Sequence, residues 1–152
     1  MTTARLQTLY QIIEAADFDY LALIPGANLQ FITGLDFHLM ERPLVVFFVP
    51  GRDPVAVLPA LEKDRLETSG LQVEMFPWTD TEGYGKAFAA ASRSLRLRGR
   101  LGVDEMRMRV FEAQIVEEYF PGVQIVAAGK DLADLRLRKD ADALASLREA
   151  IR

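Results

Sequence analysis

NLQFITGLDFHLMERPLVVFFV, residues 28–49, contains the segment on which the fold turns. Residues 44–49 are apolar at every position. That is the composition of a strand buried on both faces, as in a sheet covered by helices on both sides. Ahead of it runs a polar connection. It carries the single histidine of the chain, His38, with Asp36, Glu41 and Arg42 around it.

Outward from this segment the punctuation is clear. Pro50-Gly51-Arg52-Asp53-Pro54 is a turn, and residues 55–58 return as the next strand, so the two form a hairpin. Toward the N-terminus, Leu6, Leu9, Ile13 and Ala16 recur at helical spacing. Residues 20–24 make a short apolar strand stopped by Pro25-Gly26. Residues 29–32 read as a short strand or turn ended by Gly34. Downstream come a short helix over 61–68 and a strand over 71–76. Thr79 and Glu82 have capping-box spacing and predict a long helix to about Arg98. A strand at 101–103, a helix over 107–119 ended by Pro121-Gly122, and a last strand at 123–127 follow. Leu137, Leu144, Leu147 and Ile151 then continue a helical stripe to Arg152 with no glycine cap or proline stop. A helix cut in mid-pattern implies a parent protein that continues. Strands alternating with helices, plus one hairpin, predict an α/β fold: a three-layer mixed β-sheet of five or six strands flanked by helices, with 44–49 central.

A length of 152 residues suits one domain with a real core. A net charge of −4 argues against a nucleic-acid partner. The absence of cysteine removes disulfides and thiolate chemistry and suits a cytoplasmic location. Residues 1–20 lack an apolar core behind a basic region, and the 44–49 run is far too short to span a bilayer, so no membrane association is expected.

Several chemistries fail on inspection. Gly83-Tyr84-Gly85-Lys86 looks like a phosphate loop, but Asp80 replaces its first glycine and Ala87 its magnesium-binding hydroxyl, so a helix entrance is the better reading. No nucleophile elbow and no His-Glu-x-x-His helix is present. One histidine cannot supply a zinc site, and no acids fall at calcium-loop spacing. No catalytic residue and no metal ligand is therefore assigned within this chain. The connection 36–42 has two readings. One is a solvated link whose charges keep it in water. The other is a presenting loop: if extended, Asp36 and His38 point the same way, and Arg42 can grip a carboxylate through two parallel hydrogen bonds. The residues alone leave both open.

Asn28-Leu29-Gln30-Phe31-Ile32-Thr33-Gly34-Leu35, a loop, and the buried run that follows resemble the amino-terminal domain of the creatinase/prolidase/aminopeptidase P family. The corner Leu58-Pro59-Ala60-Leu61-Glu62, the strand Leu101-Gly102-Val103-Asp104 and the tail Leu135-Arg136-Leu137-Arg138-Lys139 match it in the same order. One departure is Ala143 after Asp142, where the family usually pairs two acids.

The resemblance implies a ribonuclease H-like topology over residues 1–135. Residues 136–152 would be a linker and the truncated first helix of an absent catalytic "pita-bread" domain. That domain would hold two divalent metals (Mn, Co or Zn) on two Asp, one His and two Glu, and cleave the bond before proline with a metal-bridged hydroxide. The implied parent is most similar to an Xaa-Pro dipeptidase. Its implied partners are its own C-terminal domain, a second copy in a homodimer, and a proline-containing peptide. Asp36, His38, Glu41 and Arg42 would contact substrate, in cis or in trans. Phe37, Leu39 and Met40, with the last helical stripe, would form an exposed apolar patch for packing. Two alternatives share the architecture: a noncatalytic protein-binding module of the pseudo-peptidase type found in a histone-chaperone large subunit, and a metal-free creatinase-like amidinohydrolase.

Overall fold

The all-apolar run forms β2, Val45–Phe48, and every residue of it is buried. In the computed structural model, which describes residues 3–137 and 141–151, β2 pairs antiparallel with β1 (Tyr20–Leu23) and β3 (Val55–Pro59). Outside β3 lies β4 (Glu74–Trp78), parallel to it. Beyond β1 lie β5 (Gly99–Val103) and β6 (Val123–Ala127), both parallel. The order is β4-β3-β2-β1-β5-β6. The expected mixed sheet and hairpin are therefore present, in the ribonuclease H-like order, with β4 added at one edge. Pro77 is tolerated in β4 because an edge strand needs no donor on its outer side.

Period-two alternation divides β2 between two cores. Val46 and Phe48 face a layer with Leu9, Ile13, Leu29, Ile32, Leu66 and Leu132. These come from α1 (Thr3–Ala15), α2 (Ala27–Thr33), α3 (Lys63–Thr68) and α6 (Gly129–Leu137). Val45 and Phe47 face Phe88, Ala91, Ile115 and Val116 of α4 (Gly85–Leu95) and α5 (Val110–Tyr119). Gly102 in β5 is a point of close approach between the sheet and its cover. A Cβ there would lie 2.9 Å from the Phe18 ring and 3.0 Å from Ala128 Cβ.

Four local expectations are corrected. Residues 29–32 are not a strand or turn but part of α2. Leu29, Ile32 and Thr33 are buried at helical spacing, and Gly34 closes the helix in the left-handed region (φ 75°), donating to Gln30 O. Burial against the sheet overrides the β-branched and aromatic composition. Thr79 does not cap a long helix: its Oγ1 accepts from Glu82 N at 3.4 Å within a turn, and α4 begins only at Gly85. The helix expected from Arg107 starts at Val110, because the Asp104 carbonyl first draws the Arg107 and Met108 amides into a turn. Phe37 is not an exposed patch residue. It is 5% exposed and packs in the first core.

α6 was not foreseen. The apolar stripe Leu137, Leu144, Leu147 and Ile151 is exposed as expected, but it lies across α6, α7 (Ala141–Ala150) and the turn after it. Arg138, Lys139, Asp140 and Arg152 lie outside the described residues, as does the side chain of Asp142. The second half of the Leu135-to-Lys139 motif is therefore not described. Among the described residues no helix is long and apolar enough to cross a membrane.

Candidate functional site

Because β2 runs against its neighbours, the loop that feeds it shares a sheet edge with the ends of the five other strands. The segment 36–43 is held there at four points. The Phe37 ring is buried, with the Arg65 guanidinium 5.2 Å from its centroid. Arg109 Nη2 donates to Met40 O at 2.8 Å. Arg42 grips Asp80 in a fork, Nε to Oδ1 at 2.8 Å and Nη2 to Oδ2 at 2.5 Å. Trp78 Nε1 donates to Pro43 O at 3.2 Å. Between these points Asp36, His38, Leu39 and Glu41 are exposed. No hydrogen bond joins Asp36 to His38 among the described residues.

The Arg42–Asp80 pair sets its own electrostatics. The Arg42 hydrogen bonds hold the Asp80 carboxyl below its ordinary range, and Asp80 in turn raises Arg42. Glu41 stands farther off, 3.9 Å from Arg42. The carboxylate that Arg42 meets is thus Asp80, a residue noted in the sequence only as a failed phosphate loop. Arg42 and Asp80 border a groove of about 270 Å³ with Trp78, Thr79 and Leu61. Arg109 has its own anchor. Both carboxylate oxygens of Glu112 accept from Arg109 Nε, at 3.0 and 2.9 Å, and Glu112 is fully buried. Hydrogen bonding to Glu112 is the main cause of the raised Arg109 pKa. No local pattern announces the Arg42–Asp80 pair, which depends on how the strands are ordered; Arg109 and Glu112 stand three residues apart at the start of α5, a spacing the sequence does show.

The same edge carries an apolar rim. Leu61, Met106 and Val110 are strongly exposed and accompany Leu39 and Met40. Next to it, at the switch between β1 and β5, Asn28 Nδ2 donates to Asp104 Oδ2 at 2.8 Å. Among the described residues no three His, Asp or Glu side chains converge to hold a metal ion, so a two-metal centre does not fit the described residues.

The match to known proteins follows this geometry. A profile of the creatinase/prolidase N-terminal domain matches residues 5–138. The chain belongs to the creatinase/prolidase N-terminal domain family. Among solved structures, a proline dipeptidase from Streptococcus pneumoniae TIGR4 superposes with a TM-score of 0.79 at 19% identity, covering 91% of this chain and 100% of that one. The N-terminal domain of an Xaa-Pro dipeptidase from Lactobacillus brevis does so with a TM-score of 0.75 at 17% identity, covering 86% and 98%. A prolidase from Thermococcus sibiricus gives a TM-score of 0.82 at 23% identity, covering 95% of this chain but only 40% of that protein. No curated protein matches the chain. At these identities the likeness establishes the fold of a creatinase/prolidase N-terminal domain.

Proposed function

We propose that this chain is the non-catalytic front domain of an Xaa-Pro dipeptidase-like peptidase. Its loop 36–42 serves a peptide site completed by the following domain or by a second copy in a homodimer. The observation that carries this reading is the construction of the loop: four contacts, two to backbone carbonyls and two through the Phe37 and Arg42 side chains, hold residues 37–43 while Asp36 and His38 are exposed. A solvated connection needs no such fixing, whereas a binding group gains from preorganisation. The reading is supported by the Thermococcus sibiricus prolidase, whose chain continues well beyond the part this one matches.

In this reading His38 hydrogen-bonds the bound peptide, and Glu41 and Asp36 shape the local field. Arg42 positions the loop through Asp80; to grip a substrate carboxylate it must exchange that partner. The divalent metals are ligated by the following domain, and the rim of Leu39, Met40, Leu61, Met106 and Val110 is covered there.

The test is kcat/KM and melting temperature of the full-length protein carrying His38→Ala or Arg42→Ala, on an Xaa-Pro dipeptide and its C-terminal amide. Loss of one charge-assisted hydrogen bond corresponds to about a ten- to hundredfold fall in kcat/KM for His38→Ala, with unchanged melting. A loss in Arg42→Ala that is equal for acid and amide marks a positioning role, and one confined to the acid marks direct binding. Wild-type kcat/KM in both variants would make the loop a solvated connection.

A further inference from the structure

At the sheet edge opposite the His38 loop, α4 ends at Leu95 and β5 begins at Gly99. Local geometry gathers three arginines between them. Arg93 lies in the last turn of α4 and Arg96 just past it, where its Nε reaches back to Arg93 O. Leu97 then turns inward, 5% exposed, so Arg96 and Arg98 on either side of it both point out. All three line an open groove of about 620 Å³, whose far wall is the turn Phe120, Pro121 and Gly122.

Two observations separate this cluster from ordinary solvated arginines. Three acids at this edge are already engaged. Asp17 pairs with Arg100, Asp19 accepts the Arg100 amide, and Glu74 holds Arg52 and Ser94. Among the described residues no carboxylate stands within ion-pair distance of Arg93, Arg96 or Arg98. The second observation is the backbone at Arg96, a non-glycine residue with positive φ (48°). It sits just past the end of α4, where glycine is the usual choice because a Cβ is strained there. The chain keeps a guanidinium at a glycine position. Its Nε donates to Arg93 O at 3.4 Å, and the residue lines the groove.

We propose that this groove is an anion site for an oligophosphate, bound as free pyrophosphate or as the phosphate tail of a nucleotide. Guanidinium forks match phosphate oxygens in bidentate fashion, and three arginines line this one groove in a protein whose net charge is −4. The walls offer no exposed ring on which a base would stack: Phe120 is 2% exposed, and besides the arginines only Ser92 brings a polar side chain to the groove. Recognition rests on charge density alone, which favours two or more linked phosphates over one.

The test is calorimetric titration of the 152-residue chain at low salt with pyrophosphate, inorganic phosphate, ADP and adenosine, with amide ¹⁵N shifts to locate the ligand. Pyrophosphate and ADP bind with similar Kd, at least tenfold tighter than phosphate. Adenosine does not bind, and the shifts fall at 93–98 and 120–122. Arg96→Gly relieves the backbone and keeps or raises the melting temperature, yet weakens pyrophosphate about tenfold or more. Arg93→Gln with Arg98→Gln abolishes binding. No saturation by pyrophosphate at about 1 mM, an unchanged Kd in Arg96→Gly and in the double variant, or shifts elsewhere overturns the proposal. A tighter ADP than pyrophosphate shows base recognition and overturns the charge-density argument. Displacement of pyrophosphate by lower concentrations of a single-stranded oligonucleotide makes nucleic acid the ligand and overturns it too.

Discussion

Asn28 and Asp104, 76 residues apart, share a hydrogen bond of 2.8 Å that ties the first turn of α2, just beyond β1, to the end of β5. It joins two segments that the sequence marks separately, the Asn28-to-Leu35 motif and the Leu101-to-Asp104 strand. Asp104 Oδ1 also accepts the Met106 amide at 3.2 Å, so this carboxylate organises the turn as well as the crossing.

Asn28→Ala removes the donor from a buried site and lowers stability by about 1–2 kcal/mol. Asn28→Asp sets a second carboxylate against Asp104 and costs more, on the order of 3 kcal/mol at pH 7. The new acid has a raised pKa in the folded state, so its deficit shrinks as pH falls toward the ordinary carboxylate range. Urea unfolding at pH 7 and near pH 4.5 separates the two variants. An equal deficit at both pH values would show that charge repulsion is not the cause.

Arg109 compensates the fully buried Glu112 and also holds the loop carbonyl at Met40. Arg109→Ala strands the carboxylate, a loss of about 3 kcal/mol. Pairing it with Glu112→Leu recovers most of that loss, because the unpaired buried charge is gone. Hydrogen exchange at 38–42 remains accelerated in both variants, since Met40 O has lost its donor. Chemical denaturation and exchange measured together distinguish the two effects.

Tyr10 donates its hydroxyl to Arg52 O at 2.6 Å. Burial, assisted by Asp53, pushes its pKa up to about 12 from 10.0. The folded state holds this proton more tightly than the unfolded state does. Its contribution is therefore fully present below pH 10 and lost as pH rises through about 12. The size is on the order of 2 kcal/mol. Tyr10→Phe flattens that part of the alkaline unfolding profile; an identical alkaline slope in both proteins would remove Tyr10 as its cause.

The 152-residue chain by itself folds but hydrolyses no Xaa-Pro dipeptide, with or without Mn²⁺ or Co²⁺, because among the described residues no three of its acids and single histidine converge. Chromatography with parallel assay checks this. Metal-dependent turnover that follows the chain through successive columns would contradict it.

The sequence by itself determined the central strand, the hairpin, the last strand and the layered class, because unbroken apolarity and turn residues are local signals. It also located the polar loop, from the order of residues around His38. It did not determine α2, a short segment whose helical state comes from the buried face of Leu29 and Ile32 rather than from propensity. Nor did it place Phe37 inside, bury Glu112 beside its neighbour Arg109, or give Arg42 its partner Asp80. Arg42 precedes β2 and Asp80 follows β4; they meet because β3 lies between those strands and one of them runs the other way. Periodicity fixes which side of a strand a residue faces. Only the strand order and direction fix which chain ends share an edge, and at this edge that decides which charges become anchors and which remain exposed.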